Sequence, residues 1–308
     1  MPSKGAVLVR VGEKEVKLTH LDKVYWPDDG FTKGDLIDYY AAMAPYILPH
    51  LKDRPLSLVR YPGGTAEKGF YQKDAPVGTP EWVRLAPLWS KERSSYINFI
   101  LCDNVETLVW MTNSGVVEVN PWLSRYDNAD CPDFAVIDID PSEGTTWEDV
   151  RVVARVAKSL LDEWKLVAFP KVSGATGLHI YIPVEPRYTY RQIQSFVKYG
   201  AKFIRDAYPE KVTLERKVKD RTGRVYIDYP QNARGQTISS VYGVRATPGA
   251  PVSMPILWEE LGKVTPKSWS IATALSRVKA AGDLFRQVLT KPQSIDLILS
   301  EALSGKHK

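Results

Sequence analysis

The stretch DFAVIDIDPSEG carries two carboxylates, Asp138 and Asp140, two residues apart in a run that reads as a strand. Alternate side chains of a strand leave opposite faces, so Val136, Asp138 and Asp140 point one way and Ile137 and Ile139 the other. The two acids then lie within ~7–8 Å of each other. Like charges that close repel and raise each other's pKa unless something positive sits between them. Pro141 follows at once and leaves the pair at the exposed carboxyl end of the strand. Two readings stand at this point. The acids cap the next helix and take salt bridges, or they bind a divalent cation. Hard Mg2+ and Mn2+ take oxygen ligands, and clustered carboxylates become favourable around them. A third acid would complete a two-metal site. VYIDYP offers Asp228 at another strand end, on the face of Tyr226 and again followed closely by proline.

The next chemical signal is SGATGLHIY. Gly174 and Gly177 permit a tight turn whose N–H groups can face an anion, and Ser173 adds a hydroxyl. His179 sits on the strand face opposite Leu178 and Ile180, where it is either a structural histidine or a phosphate contact. Basic residues are interleaved with aromatics elsewhere. LDKVYWPDDGFTK holds Lys23 and Lys33, and RYPGGTAEKGFYQK holds Arg60, Lys68, Lys73, Phe70 and Tyr71. ERKVKDRTGR reads as a basic, hairpin-like loop. Any one of these alone is a solvated face. Cations beside aromatics are also what stacks bases while neutralising phosphates. NARGQTISSVYGVRA ends with Arg245, a fixed cation suited to a phosphate. Three acids, an anion-binding turn and basic-aromatic loops together describe nucleotidyl transfer.

These residues need a scaffold. A chain of 308 residues with 44% hydrophobic content suffices for one large domain or two smaller ones. Its net charge of +5 suits a polyanion binder without demanding one. Cys102 and Cys131 follow no metal-ligand spacing and the four histidines cluster with neither, so a structural zinc is not expected. A reducing, cytoplasmic setting follows as the default, with neither signal peptide nor membrane span.

Helical spacing marks FTKGDLIDYYAAMAPYIL through Leu36, Ile37, Tyr40 and Met43. RPLSLVRYP reads as a strand, and SYINFILCDNVETLVWMTNSGVVEV as strand, helix and strand with Gly115 stopping the helix. Thr145 and Glu148 form a candidate capping box opening a helix to about Trp164. KLVAFPKVS, LHIYIPV, GRVYIDY and QTISSVYG are expected strands. A helix runs from about Thr189 to Ala207, with its stripe Ile193, Phe196, Val197, Gly200 and Ile204, and the last ~40 residues read as helical. RATPGAPVSMPIL reads as a wrapping loop. The mixture lacks strict alternation, so the fold class is α+β: mixed or antiparallel sheets forming a catalytic cleft, with helices on the outer faces.

In their order along the chain, LDKVYWP…TKGDLIDYY, RPLSLVRYPGG…GFYQKDAP, DIDPSEG, SGATGLHIYIPV and IDYPQNARGQT resemble, nearly end to end, the polymerase domain of bacterial ligase D. That domain belongs to the archaeo-eukaryotic primase superfamily. The resemblance implies one primase-polymerase domain over 1–308, with a DNA-end-binding portion to about residue 100, a catalytic core to about 260 and a helical remainder. It implies template-directed addition of nucleotides, preferentially ribonucleotides, at gapped or broken 5′-phosphorylated DNA ends in non-homologous end joining. Mn2+ or Mg2+ would serve as a pair of ions and NTPs or dNTPs as substrates, with Ku and a DNA ligase as partners and no membrane. Asp138, Asp140 and Asp228 carry over as metal ligands and catalytic acids. Ser173, His179, Gln231, Arg245 and Arg60 carry over as nucleotide contacts, and Lys23 and Lys33 as the pocket for a downstream 5′-phosphate. Phe70, Tyr71, Lys73 and Arg221 carry over as template and primer contacts, with Phe70 and Tyr71 the stacking pair.

The chain departs from the pattern at Asn120, where many relatives have histidine, at Thr176 for a lysine, and at Thr247 for a second arginine. SGKHK at the end reads as a tail or a severed linker. A metal-dependent nuclease or phosphohydrolase would use the same acids. A non-catalytic DNA-end module would keep the basic-aromatic loops alone. De novo priming is the third alternative, against which stands the lack of a cysteine-rich zinc module.

Overall fold

A computed structural model describes residues 6–90 and 93–304, so most of SGKHK lies outside the described residues. The chain divides into two compact units, each drawn from three segments. The first comprises Met1–Asp127, Thr237–Ser253 and Trp269–Asp283. It opens with a hairpin, β1 (Val7–Val11) and β2 (Lys14–Leu18), followed by the short pair β3 (Val24–Trp26) and β4 (Phe31–Thr32). Helix α1 (Lys33–Leu51) starts in a capping box, Thr32 with Asp35, and buries Leu36, Ile37, Tyr40, Met43 and Ile47 on one stripe. β5 (Leu56–Arg60) is central in an antiparallel sheet between β6 (Phe70–Gln72) and β9 (Val116–Pro121). A second hairpin pairs β7 (Leu85–Ser90) with β8 (Ser95–Ile100). Helix α2 (Val105–Asn113) is capped by Asn104 and ended by Gly115 at φ +88°, a left-handed position that favours glycine.

The second unit comprises Asn128–Gln236, Met254–Ser268 and Leu284–Lys308. Its sheet is built on β10 (Phe134–Asp140), whose neighbours are β12 (Leu178–Pro183) and β14 (Val225–Ile227). β11 (Phe169–Val172) and β13 (Val212–Thr213) complete the order β11-β12-β10-β14-β13. Every pair is antiparallel except β13–β14. Helices α3 (Trp147–Glu163) and α4 (Tyr190–Ala207) pack on each other and on β10. The capping box of α4 is Thr189 with Gln192, and its buried stripe includes Ile193, Phe196, Val197, Gly200 and Ile204. Of the last two helices, α5 (Ala274–Ala281) belongs to the first unit and α6 (Asp296–Ser304) to the second. Described residues thus give a mixed α+β fold with largely antiparallel sheets and six α-helices.

Three sequence expectations are corrected. The capping box of α3 is Thr146 with Asp149, one residue later than Thr145 with Glu148. Thr145 is taken by the preceding turn, where its N–H and hydroxyl both donate to the Ser142 carbonyl. QTISSVYG forms no strand. Tyr242 adopts φ +61° and Gly243 N–H turns back to the Ser240 carbonyl, so the segment contributes only one isolated bridge, Thr237 to Trp122. The final stretch is helical only in α5, α6 and short 3-10 turns, because turns and extended pieces separate them. Cys102 is buried and Cys131 half-buried, both as free thiols. No helix among the described residues is long and apolar enough to cross a membrane.

Candidate active site and a cationic pocket

Strand register decides what Asp138 meets. Asp138 lies directly opposite His179 on β12, and His179 directly opposite Lys171 on β11. On the other side of β10, Asp228 N–H donates to the Asp138 carbonyl at 2.9 Å. One sheet face therefore carries the row Lys171, His179, Asp138 and Asp228, with Asp140 two residues along β10. His179 Nε2 lies 3.4 Å from Asp138 Oδ1, and its Nδ1 lies 2.8 Å from Lys171 Nζ. Asp138, His179 and Lys171 are all buried, while Asp140 is half-buried.

Each acid has its own setting. Asp228 caps the 3-10 turn Tyr229–Asn232, accepting from Gln231 N–H (3.2 Å) and from the Tyr226 hydroxyl (3.1 Å). Burial, followed by the Asp228 charge, pushes the Tyr226 phenol well up, so it stays a donor at neutral pH. The Arg221 guanidinium stacks on the Tyr226 ring at 3.5 Å and donates to the carbonyls of Glu215 and Arg216. Ser142 of DIDPSEG donates its hydroxyl to the carbonyls of Arg221 and Arg224, which ties the basic loop to the end of β10.

The Ser173–Gly177 turn differs from its expected form. Its N–H groups at Ala175 and Gly177 donate inward to Ser173 Oγ, at 3.1 and 2.9 Å, rather than outward to an anion. Gly177 is needed for a second reason: a Cβ there would be driven into the Ile139 carbonyl and come 2.9 Å from Asp140 Oδ1. Gly177→Ala is accordingly expected to displace the Asp140 strand end. A loss of ~10-fold or more in primer extension, with a lower melting temperature, is the predicted outcome, since overpacking costs about 1–3 kcal/mol. An unchanged melt and rate would show that the turn relaxes freely.

As hard oxygen donors on adjoining strand ends, Asp138, Asp140 and Asp228 suit Mg2+ or Mn2+ chemically. Among the described residues, no three His, Cys, Asp or Glu side chains are already gathered as they would be around one ion.

The first unit holds a separate cationic pocket of about 320 Å³, lined by Lys23, Lys33, Arg60, Tyr25, His20 and Asn113 among others. Lys33 is the first residue of α1, and its Nζ donates to the Thr19 carbonyl at 2.6 Å. Lys23 Nζ donates to the Pro62 carbonyl at 2.5 Å. Burial, with the Lys23 charge second, lowers the Lys33 pKa to about 8. The positive end of the helix dipole adds to the same potential. Among the described residues, those that line the pocket include no carboxylate. Arg60, which the resemblance puts with the nucleotide, lines this pocket and donates to the Ser114 carbonyl and to Gln72.

Phe70 pairs with Arg60 across β5 and β6, and the Arg60 guanidinium lies 5.6 Å from its ring. Tyr71 is adjacent on the strand and leaves the opposite face, so the two rings do not share one side. Both are exposed, at 48% and 72%. Lys73 follows β6 and is half-buried. Arg245 meets buried Glu118, Nε to Oε1 at 3.3 Å, and the same oxygen accepts Ala246 N–H. Asn120 is buried one alternation beyond Glu118 on β9, and Thr247 Oγ1 is buried without a hydrogen-bond partner. Sequence reading missed Lys171 and Glu118, and placed Tyr226 on the face of Asp228 without giving it a role. A lysine inside the apolar run FPKVS, two residues before Ser173, was the available signal for the first.

Comparison with known proteins identifies the family of the chain. Residues 32–285 match the family model described as LigD, primase-polymerase domain. The chain is 32% identical over 281 residues to the bifunctional non-homologous end joining protein LigD of Bacillus subtilis, covering 91% of this chain and 45% of that protein. It is 31% identical over 284 residues to the multifunctional non-homologous end joining DNA repair protein LigD of Mycobacterium tuberculosis, covering 90% of this chain and 37% of that one. The chain thus spans less than half the length of these relatives. Among solved structures, the polymerase domain of Mycobacterium tuberculosis ligase D in complex with DNA matches with a TM-score of 0.84 and 29% identity, over 91% of this chain and 100% of that one. Family model, relatives and fold agree: the chain belongs to the LigD primase-polymerase domain family.

Proposed function

We propose that the chain, as one primase-polymerase domain, is a template-directed nucleotidyltransferase of DNA end joining. It would extend a primer 3′-hydroxyl at gapped or broken DNA carrying a downstream 5′-phosphate, with a preference for ribonucleotides. The observation that carries this reading is the placement of Asp138, Asp140 and Asp228 at adjoining ends of β10 and β14, in a member of this family. The three acids would hold two Mn2+ or Mg2+ ions, which lower the pKa of the attacking hydroxyl and neutralise the triphosphate. Ser173, His179, Gln231 and Arg245 would contact the incoming nucleotide. Phe70, Tyr71, Lys73 and Arg221 would contact template and primer, the two aromatics from opposite faces of β6. Lys23 and Lys33, joined by Arg60, would bind the 5′-phosphate. Cytoplasmic action with Ku and a DNA ligase completes the proposal.

The test is extension of a labelled primer on gapped, 5′-phosphorylated DNA, comparing NTPs with dNTPs in Mg2+ and Mn2+. Extension supports the reading. Metal-dependent shortening of the primer would point to a nuclease, and binding without turnover to an end-binding module. Within the same assay, Arg245→Ala is expected to raise the nucleotide KM or lower kcat by ~10-fold or more, the value of a lost charge-assisted hydrogen bond. Arg245→Lys should restore only part, because Glu118 and a phosphate both suit the planar fork of arginine. Wild-type kinetics for Arg245→Ala would assign the residue to structure alone.

A further inference from the structure

The ladder between β10 and β14 stops early, for a reason visible in the sequence. Its register sets Ile139 opposite Ile227 and Asp140 opposite Tyr226, and Asp228 N–H continues it to the Asp138 carbonyl. One step further, the residue opposite Val136 is Pro230, which has no N–H to donate. Alternate residues of a strand turn their peptide groups to the same side, so those of Val136 face the place that Pro230 leaves. The chain curls there into the 3-10 turn Tyr229–Asn232, and the Asn232 carboxamide stands where a peptide of β14 would. Its Oδ1 accepts Val136 N–H at 2.8 Å, and its Nδ2 donates to the Val136 carbonyl at 2.8 Å. Nδ2 also donates to the Tyr229 carbonyl at 3.3 Å, which closes the turn on itself. With one donor and one acceptor on Val136, the carboxamide has a single orientation. Asn232 is fully buried, at 0% exposure, and α4 packs over the turn.

We propose that Asn232 is a positioning residue for the candidate metal acids: it fastens the turn that carries Asp228 to β10 and so fixes Asp228 against Asp138 and Asp140. Asp228 begins this turn and Asn232 ends it, and the two are pinned to β10 at Asp138 and Val136. The bond to the Asp138 carbonyl alone would act as a hinge. A second attachment two residues along the same strand stops rotation about it and sets the direction in which the Asp228 carboxylate leaves. A neutral carboxamide does this without adding a charge beside the acids. The inference deepens the metal-site reading and rests on it only for the effect on ion binding, because the attachment is a property of the chain.

The decisive measurement is hydrogen exchange in the full chain, read residue by residue by NMR in metal-free buffer. In wild type the Asn232 side-chain NH2 is expected to exchange far more slowly than those of exposed asparagines and glutamines. Exchange as fast as theirs overturns the proposal without any variant. Asn232→Ala should lose protection at the backbone amides of Val136 and Asp228 by ~10-fold or more relative to Ile137 and Ile139, whose partners lie on β12. A folded variant in which all four amides change by one common factor overturns it, since that pattern marks general destabilisation. Asn232→Asp keeps the shape and the acceptor but not the donor. Should the alanine variant fail to fold, the aspartate variant serves the comparison, with Asp228 again expected to open selectively. A Mn2+ titration of the chain alone, without DNA or nucleotide, follows the electron paramagnetic signal of the free ion. Asn232→Ala is expected to bind Mn2+ ~10-fold or more weakly than wild type. If the Asp228 amide opens and Mn2+ affinity does not change, the positioning stands and the assignment of Asp228 to the metal falls.

Discussion

Asp140→Ala is expected to lower primer extension by ~10³-fold or more while binding of a DNA end stays near wild type. An acid that holds a catalytic ion contributes an electrostatic term of ~4 kcal/mol to the barrier, and truncation removes it. Asp140 is the clean position for this test because it is half-buried at the strand end. Asp138 is buried between His179 and Asp228 on the same face, and its removal strips the anion from a row that also contains buried Lys171. Breaking a buried charge balance destabilises by about 3–5 kcal/mol, so an inactive Asp138→Ala could reflect unfolding instead of lost chemistry. Asp138→Asn keeps the shape and should lose extension to a similar degree, with thermal melts separating the two causes. Near-normal extension by Asp140→Ala would sink the assignment of these acids to two ions.

The second large effect is expected at the pocket of Lys23 and Lys33. Wild type should bind gapped DNA bearing a 5′-phosphate more tightly than the same DNA bearing a 5′-hydroxyl. Lys23→Ala/Lys33→Ala should lose that preference, while still extending a primer at high DNA concentration. Two charge-assisted hydrogen bonds of ~1.5–3 kcal/mol each set the scale, about 10²-fold or more. An equal preference in both proteins would place the phosphate site elsewhere.

The pocket also predicts a pH dependence. Lys33 titrates near 8 in the folded chain against 10.5 ordinarily, so between those values the folded state binds fewer protons than the unfolded one. The buried ammonium therefore costs stability below about pH 8, and stability from this group rises with pH across the window. A dianion reverses the balance by favouring the charged lysine. The 5′-phosphate preference should consequently fall as pH rises through about 8, with proton uptake on binding above it. Titrations at pH 7 and pH 9 at fixed salt check this, and a preference that grows with pH would contradict it.

Much of the scaffold was legible because local patterns have local causes. Alternation in FAVIDID puts Asp138 and Asp140 on one face whatever lies beside the strand. The stripes of α1 and α4 and the box at Thr189 follow from helical spacing and the need to satisfy the first N–H groups. Where competing hydrogen bonds were close by, the reading slipped. Thr145 lost the capping role to Thr146 because the Ser142 carbonyl takes its N–H and hydroxyl, and QTISSVYG turned at Tyr242.

The sequence by itself determined which residue types are present, which strand face each occupies, and, through motif order, the family resemblance. Register and loop packing were decided only in three dimensions. A period-two pattern assigns a side chain to a face but names no partner strand. That Asp138 meets His179, and His179 meets Lys171, depends on hydrogen-bond ladders linking β10, β12 and β11. Likewise, three turns remote in sequence, carrying Thr19, Pro62 and Ser114, fold around the first turn of α1 and surround Lys33 with carbonyls and other cations. Its lowered pKa is a product of that enclosure, since burial and a neighbouring charge act through space and leave no mark on the local sequence.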